Sequence, residues 1–290
     1  MTLSRILLAT VLAGGLLSAP VVVTARPAKA VALKTPDIKD SDWVKIDPDN
    51  LLVIDTTRGR LLAELYPDMA PQAVARIKTL TRQHFYDGLV FFRVIDQFMA
   101  QTGDPNNVGI GGSALPDLPG EFTFPRTQDL PFIPVTVERG EMGGLVGGMP
   151  VGTQSDAMLS VSASSSVSAW GMFCPGVIGM ARTDAPDTAN SQFFITRQTS
   201  ASIDKKYATI GRVLVGIDAV RLIKVGEPVS PPQDKMTRVR LASDLPAGET
   251  VKLARMDPAS PFYRAAAAII KDRKGADFTA CDLDVPVKQD

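Results

Sequence analysis

A mainly β domain flanked by helices is what this sequence predicts, on three observations. Leu51-Leu52-Val53-Ile54-Asp55-Thr56 and Leu61-Leu62-Ala63-Glu64-Leu65 are strand-like runs on either side of the turn Thr57-Arg58-Gly59-Arg60, a hairpin signal. Further short apolar runs bounded by Gly, Pro, Asn or Asp recur at 89–95, 176–182, 191–196, 208–213 and 237–242. Helical spacing is confined to a few short stretches.

Residues 31–50 form a connector containing Pro36 and Pro48, ahead of the hairpin. Apolar residues at helical spacing then run from Ala73 to Leu80, with Pro71 suited to a first turn. Tyr86-Asp87-Gly88 turns the chain into a strand over 89–95. Residues 105–170 hold Gly109-Ile110-Gly111-Gly112, a proline-rich stretch over 116–134, Gly143-Gly144-Leu145-Val146-Gly147-Gly148 and a Ser/Val-rich tract, which together predict a long loop region with one or two short strands. A phosphate cradle is excluded because no Gly-Lys-Ser/Thr pattern accompanies the glycines. Strands over 176–182 and 191–196 flank a loop with Pro186; a strand over 208–213, a helix over 216–225 and a strand over 237–242 follow. Past Ser243 the character changes. Ser260-Pro261 starts a helix, Gly275 closes it, and a strand-like tail ends the chain; this extension, 244–290, is expected to pack on the domain.

The 290 residues are 45% hydrophobic and 21% charged, enough for a substantial core. Lys plus Arg and Asp plus Glu number 31 each, so no basic footprint for nucleic acid exists. Arg5, an apolar run over 6–23 and Ala28-Lys29-Ala30 read as a signal peptide, residues 1–30, cleaved before Val31; a retained anchor is the alternative. Cleavage leaves 28 basic and 31 acidic residues, a net charge of −3. The expectation is an exported protein with no stable membrane insertion after processing. Cys174 and Cys281 are the only cysteines, and in an oxidising compartment they either pair or stay as two buried thiols.

Two segments carry the chemistry: Phe91-Phe92-Arg93-Val94-Ile95-Asp96-Gln97-Phe98-Met99-Ala100-Gln101-Thr102-Gly103-Asp104, and Gly179-Met180-Ala181-Arg182 followed by Ser191-Gln192-Phe193-Phe194-Ile195-Thr196. They combine an arginine, amides and apolar rings, with no Ser, Cys, His or acid placed as nucleophile or base and no metal-ligand cluster. Rotation about a prolyl peptide bond needs only such a set. A reversal at Asp96-Gln97 brings Phe98, Met99 and Gln101 near Arg93. Strand alternation puts Gln192 and Phe194 on one face, Phe193 and Ile195 on the other. Alone, Arg93 reads as an exposed strand residue paired with an acid; its neighbours argue for a site. His84, the only histidine, reads as a helix-end or surface residue.

On these two segments, in this order, the chain resembles the cyclophilin-type peptidyl-prolyl isomerases from about Leu51 to Leu241, with the isomerase domain expected at 51–243. The resemblance implies a closed, antiparallel, eight-stranded barrel capped by two helices, no cofactor, and X-Pro isomerisation in exported polypeptides, as a periplasmic folding helper and a monomer. A non-catalytic module that binds proline-containing segments is the alternative. Arg93 matches the family's catalytic arginine. Gln101 would fix the arginine or bind a carbonyl, Phe98 and Met99 would wall the proline ring, and Phe194 would floor its pocket, with Gln192 beside it. Ala181 and Arg182 match positions whose backbone pairs with extended substrate. Ile203 stands at the pocket's usual leucine and Tyr207 where a histidine is usual. Ser202 replaces the tryptophan of members that bind cyclosporin well, and Ala189-Asn190 replaces the common Asn-Gly step.

Overall fold

The computed structural model describes residues 35–138 and 140–289; the expected signal peptide and its cleavage site lie outside them. In chain order the strands and α-helices are β1 (Trp43–Lys45), the hairpin β2 (Leu51–Thr56) and β3 (Gly59–Leu65), α1 (Pro71–Arg82), β4 (Arg93–Ile95) and β5 (Met99–Thr102). The enlarged middle holds β6 (Phe124–Thr127), β7 (Phe132–Glu138), β8 (Glu141–Val146), β9 (Met149–Gln154), α2 (Asp156–Val161) and β10 (Ser166–Gly171). Then come β11 (Val177–Met180), β12 (Phe193–Thr196), β13 (Thr209–Val215), α3 (Ile217–Arg221), β14 (Met236–Leu241), β15 (Leu253–Met256), α4 (Pro261–Lys274) and β16 (Val287–Gln289).

Eight strands form one antiparallel sheet in the order β14-β2-β3-β13-β11-β12-β5-β4. Closure by a strand ladder, as expected of a barrel, is not found. The edge strands β14 and β4 do not pair; between them lies the isolated bridge Val90–Lys235, with bonds from Phe91 N–H to the Asp234 carbonyl and from Met236 N–H to the Leu89 carbonyl. Only residues 93–95 of the expected strand over 89–95 enter a ladder, because the residues before them connect to the chain leading into β14. The sheet's inner face is an apolar core that includes Ile54, Leu61, Phe91, Val94, Phe193 and Ile195. Helix α1 buries Ala73, Val74, Ile77 and Leu80 there. It begins at Pro71, where a missing N–H is harmless. Glu121, from the middle segment, accepts from the N–H groups of Gln72 and Ala73 at 3.0 and 2.9 Å, supplying the cap that Ala70 cannot. The second of the two expected capping helices, α3, is shorter than the expected 216–225 and ends at Arg221.

The middle segment is not a long loop with one or two strands. It is a five-stranded antiparallel sheet, β6-β10-β9-β8-β7, with a helical turn that Ser155 caps. Some of the glycines and prolines that read as loop signals, Pro125, Pro134, Gly143 and Gly144, sit inside its strands. The connector departs from expectation by supplying a strand, whereas the extension packs on the domain and ends in a strand as expected. Trp43–Lys45 pairs with Leu253–Met256, which pairs with Val287–Gln289, so both segments contribute to a third sheet. Helix α4 begins with Ser260 accepting from Tyr263 N–H at 3.2 Å and ends at Gly275, as the sequence predicts.

The outer face of β11 and β12 supports a second core shared with the five-stranded sheet: Met99, Phe173, Val177 and Phe194 meet Phe124, Val146, Met149, Val151 and Ala169. Cys174 and Cys281 are joined in a disulfide, which ties the extension to that core. A buried polar cluster joins the three sheets. Tyr66 donates to Glu64 at 2.5 Å and accepts from Gly148 N–H, Arg255 donates to Glu64 at 3.1 Å, and Arg212 reaches the Gly148 carbonyl and Asp284. Burial and the neighbouring Glu64 push the Tyr66 hydroxyl far above its ordinary range, so it stays a donor.

Candidate active site

The site is built on cross-strand register. Arg93 on β4 lies opposite Gln101 on β5, Gln101 opposite Phe194 on β12, and Phe194 opposite Gly179 on β11. Directly opposed residues share a face and have Cβ atoms roughly 5 Å apart, so guanidinium, amide and ring form one row. The reversal that sets this register is the one expected at Asp96-Gln97: Gln97 has φ 60° and Phe98 N–H donates to the Ile95 carbonyl at 3.2 Å.

Hydrogen bonds run along the row. Arg93 Nη1 donates to Gln101 Oε1 at 3.2 Å and Gln101 Nε2 to Gln192 Oε1 at 2.9 Å. Gln192 Nε2 then donates to the carbonyls of Gly109 and Gly111 at 3.1 and 2.8 Å. Those carbonyls are held by Asp104, whose carboxylate accepts from Asn106, Val108 and Gly109 N–H groups. Burial alone would raise the Asp104 carboxyl; the backbone amides around it outweigh burial and hold it below the usual value. At the other end Arg93 Nε donates to Glu227 at 2.5 Å. Arg93 is thus paired with an acid, as an ordinary strand arginine would be, and also engaged with the amides.

Beyond the amides lies an aromatic floor. Phe194, 5% exposed, stacks on Phe173 with centroids 5.5 Å apart, and Tyr207 meets Phe194 edge-on at 5.5 Å. The stack needs a glycine at 179: a Cβ there would lie 2.7 Å from both Phe173 and Phe194. Phe98, Met99, Ala181, Ile203 and Tyr207 belong to the same cluster. Ser202 is exposed on the 3-10 turn Ala201–Ile203. Asp204, next along, accepts from Phe173 N–H at 2.9 Å; burial pushes its carboxyl up to about 6, with that N–H and Lys205 pulling the other way.

The structure therefore brings Arg93, Gln101, Gln192, Phe98, Met99, Phe194, Ile203 and Tyr207 together. Ala181 joins them, but its N–H already donates to the Gln192 carbonyl at 2.9 Å and is not open to a substrate strand. Neither the N–H nor the C=O of Arg182 has a partner among the described residues. Its guanidinium lies between the rings of Tyr207 (4.7 Å) and Phe122 (5.2 Å), anchored on the carbonyls of Lys206, Thr183 and Asp184. Its flank opens on a cleft of about 500 Å³ lined by Gln101, Gly111, Asp117, Thr188 and Gln192, a size that suits small ligands. Glu227, Phe173, Phe122 and Asp204 escape sequence reasoning, since none lies in the two segments and none belongs to a local motif. His84 is an exposed residue just past α1. Among the described residues no group of three or more His, Cys, Asp or Glu is placed to hold a metal ion.

Comparison with known proteins shows which family shares this fold. Residues 51–242 match the family described as cyclophilin type peptidyl-prolyl cis-trans isomerase/CLD. A probable peptidyl-prolyl cis-trans isomerase of Brucella suis is 34% identical over 191 residues, covering 62% of this chain and 74% of its own length. The peptidyl-prolyl cis-trans isomerase-like 1 of Gibberella zeae is 27% identical over 197 residues, 67% of this chain and 95% of that protein. The crystal structure of cyclophilin AquaCyp293 from Hirschia baltica superposes with a TM-score of 0.77 at 32% identity, covering 85% of this chain and 93% of that one. That coverage exceeds what residues 51–242 alone contain, so the likeness includes residues outside the family's own span.

Proposed function

Since this chain belongs to the cyclophilin-type peptidyl-prolyl cis-trans isomerases, we propose that it turns X-Pro bonds over the row Arg93–Gln101–Phe194. The activity is peptidyl-prolyl cis-trans isomerisation. A peptide bond resists rotation by about 18–20 kcal/mol because its C–N link is partly double. In the twisted form the prolyl nitrogen regains a lone pair and accepts a hydrogen bond. A guanidinium, charged at any working pH, supplies the donor. It speeds rotation only insofar as it binds the twisted form better than the planar one.

In this reading Arg93 is the donor, Gln101 fixes it or binds a substrate carbonyl, and Gln192 holds Gln101 in place. Phe194 floors the proline pocket, with Phe98, Met99, Ile203 and Tyr207 as walls. The unpartnered backbone of Arg182 pairs with the extended substrate, in strand-addition fashion. The observation that carries the reading is the cross-strand register, which sets a hydrogen-bonded guanidinium one residue-width from an aromatic floor. An NMR exchange assay on an Ala-Pro peptide tests it: faster cis–trans exchange is expected, whereas affinity without faster exchange would mark a binding module.

The chain acts on exported polypeptides as a monomeric, periplasmic folding helper, without nucleic acid and without a membrane anchor once processed. The Ala28-Lys29-Ala30 pattern and the Cys174–Cys281 disulfide, which suits an oxidising compartment, support this placement. Among the described residues no helix is long and apolar enough to cross a membrane. Mass spectrometry should find a mature chain starting at Val31; a full-length, membrane-bound product would overturn the placement.

A further inference from the structure

The catalytic guanidinium is held from both sides, and one holder lies far away in sequence. Glu227 accepts from Arg93 Nε at 2.5 Å across a separation of 134 positions. Its place is set by backbone bonds. Gly226 and Val94 exchange N–H to carbonyl bonds of 2.8 and 2.9 Å, and Val229 N–H donates to the Phe92 carbonyl at 2.8 Å. The 226–229 segment thus runs along β4, bonded to the residues before and after Arg93, and presents its carboxylate to that side chain. The pair is open to water, with 38% of the Arg93 side chain and 55% of the Glu227 side chain exposed. Such a pair contributes little to folding, so stability does not explain why the backbone is arranged to make it.

We infer that Glu227 is a positioning residue for Arg93. Glu227 takes Nε and Gln101 takes Nη1, which fixes the plane of the guanidinium and leaves Nη2, unpartnered among the described residues, as the free edge of the fork. The inference rests on the reading of Arg93 above. A carboxylate beside the guanidinium also offsets its charge, which works against donation to the prolyl nitrogen. Water and salt screen that effect at an exposed edge, whereas orientation is not screened. The orienting effect wins, and removing the carboxylate slows the enzyme.

The test is a double-mutant cycle in the NMR exchange assay with the Ala-Pro peptide, using Glu227→Ala, Arg93→Ala and the double variant, with Glu227→Gln as the conservative control. Glu227→Ala should lower turnover efficiency about three- to tenfold, the scale of one ordinary hydrogen bond lost from the donor's support, with an unchanged melting temperature. Glu227→Gln, which keeps an accepting oxygen at the same reach, should stay within about twofold of wild type. In the Arg93→Ala background, Glu227→Ala should change nothing further. With ¹⁵N-labelled arginine, the Arg93 Nε–H signal should be protected from exchange in wild type and Glu227→Gln, and lose protection in Glu227→Ala. Wild-type or higher activity in Glu227→Ala, or an equal loss in both backgrounds, overturns the proposal while leaving the role of Arg93 intact. Full activity in Arg93→Ala overturns the reading of Arg93 and this proposal with it.

Discussion

Replacing Arg93 by alanine removes the one cation of the row while sparing its scaffold. The lost bonds in the free protein are the exposed one to Glu227 and the part-buried one to Gln101. An exposed pair is worth about 0–1 kcal/mol after screening, so the variant should fold. The loss in the transition state is larger: one charge-assisted hydrogen bond to the twisted prolyl nitrogen, about 1.5–3 kcal/mol. At about 1.4 kcal/mol per decade this is roughly a ten- to hundredfold fall in turnover efficiency. Arg93→Lys should rescue poorly, because an ammonium cannot hold Glu227 and Gln101 in one plane and still present a donor. A protease-coupled or NMR exchange assay on the three proteins, with circular dichroism as the folding check, measures this. A folded Arg93→Ala protein with full activity would refute the mechanism.

Other outcomes follow from residues around the row. The Asp204 carboxyl, raised to about 6 mainly by burial, holds its proton more tightly in the folded than in the unfolded chain, where an Asp titrates near 3.9. Its contribution to stability is full below about pH 4 and is lost as pH rises through about 6, so Asp204→Asn should flatten that part of the melting-temperature profile; an unchanged profile would exclude this source. Cys281→Ser opens a cross-link spanning 107 positions and should cost about 2–5 kcal/mol, seen as a lower melting temperature that reductant no longer changes. Exposed Ser202 supplies neither the apolar area nor the donor of an indole, so cyclosporin should bind weakly by calorimetry and more tightly to Ser202→Trp.

What could be read in the sequence was what neighbours in the chain decide. The hairpin at 51–65, the turn at Asp96-Gln97 and the alternation that sends Phe193 and Ile195 inward and Phe194 outward are all short-range, and the structure shows each. The five-stranded sheet was hidden because its glycines make room for other segments. A Cβ at Gly152 would meet the Trp170 ring at 2.5 Å, and one at Gly144 the Ile133 carbonyl at 2.3 Å. Pro134 sits in β7 beside a register shift, where a missing donor is tolerated. The site was readable as far as its residues lie in the two segments. Glu227, Phe173 and Phe122 arrive through tertiary contact alone, and no local pattern announces them.

The sheet β1-β15-β16 gives the polypeptide an order of events. Residues 43–45 wait for partners at 253–256, which in turn pair with 287–289. A chain growing on a ribosome exposes its first strand long before its last. Pairings this far apart carry a high closure entropy and form slowly. Completion of this third sheet is therefore deferred until residue 289 has emerged, however early the central hairpin forms.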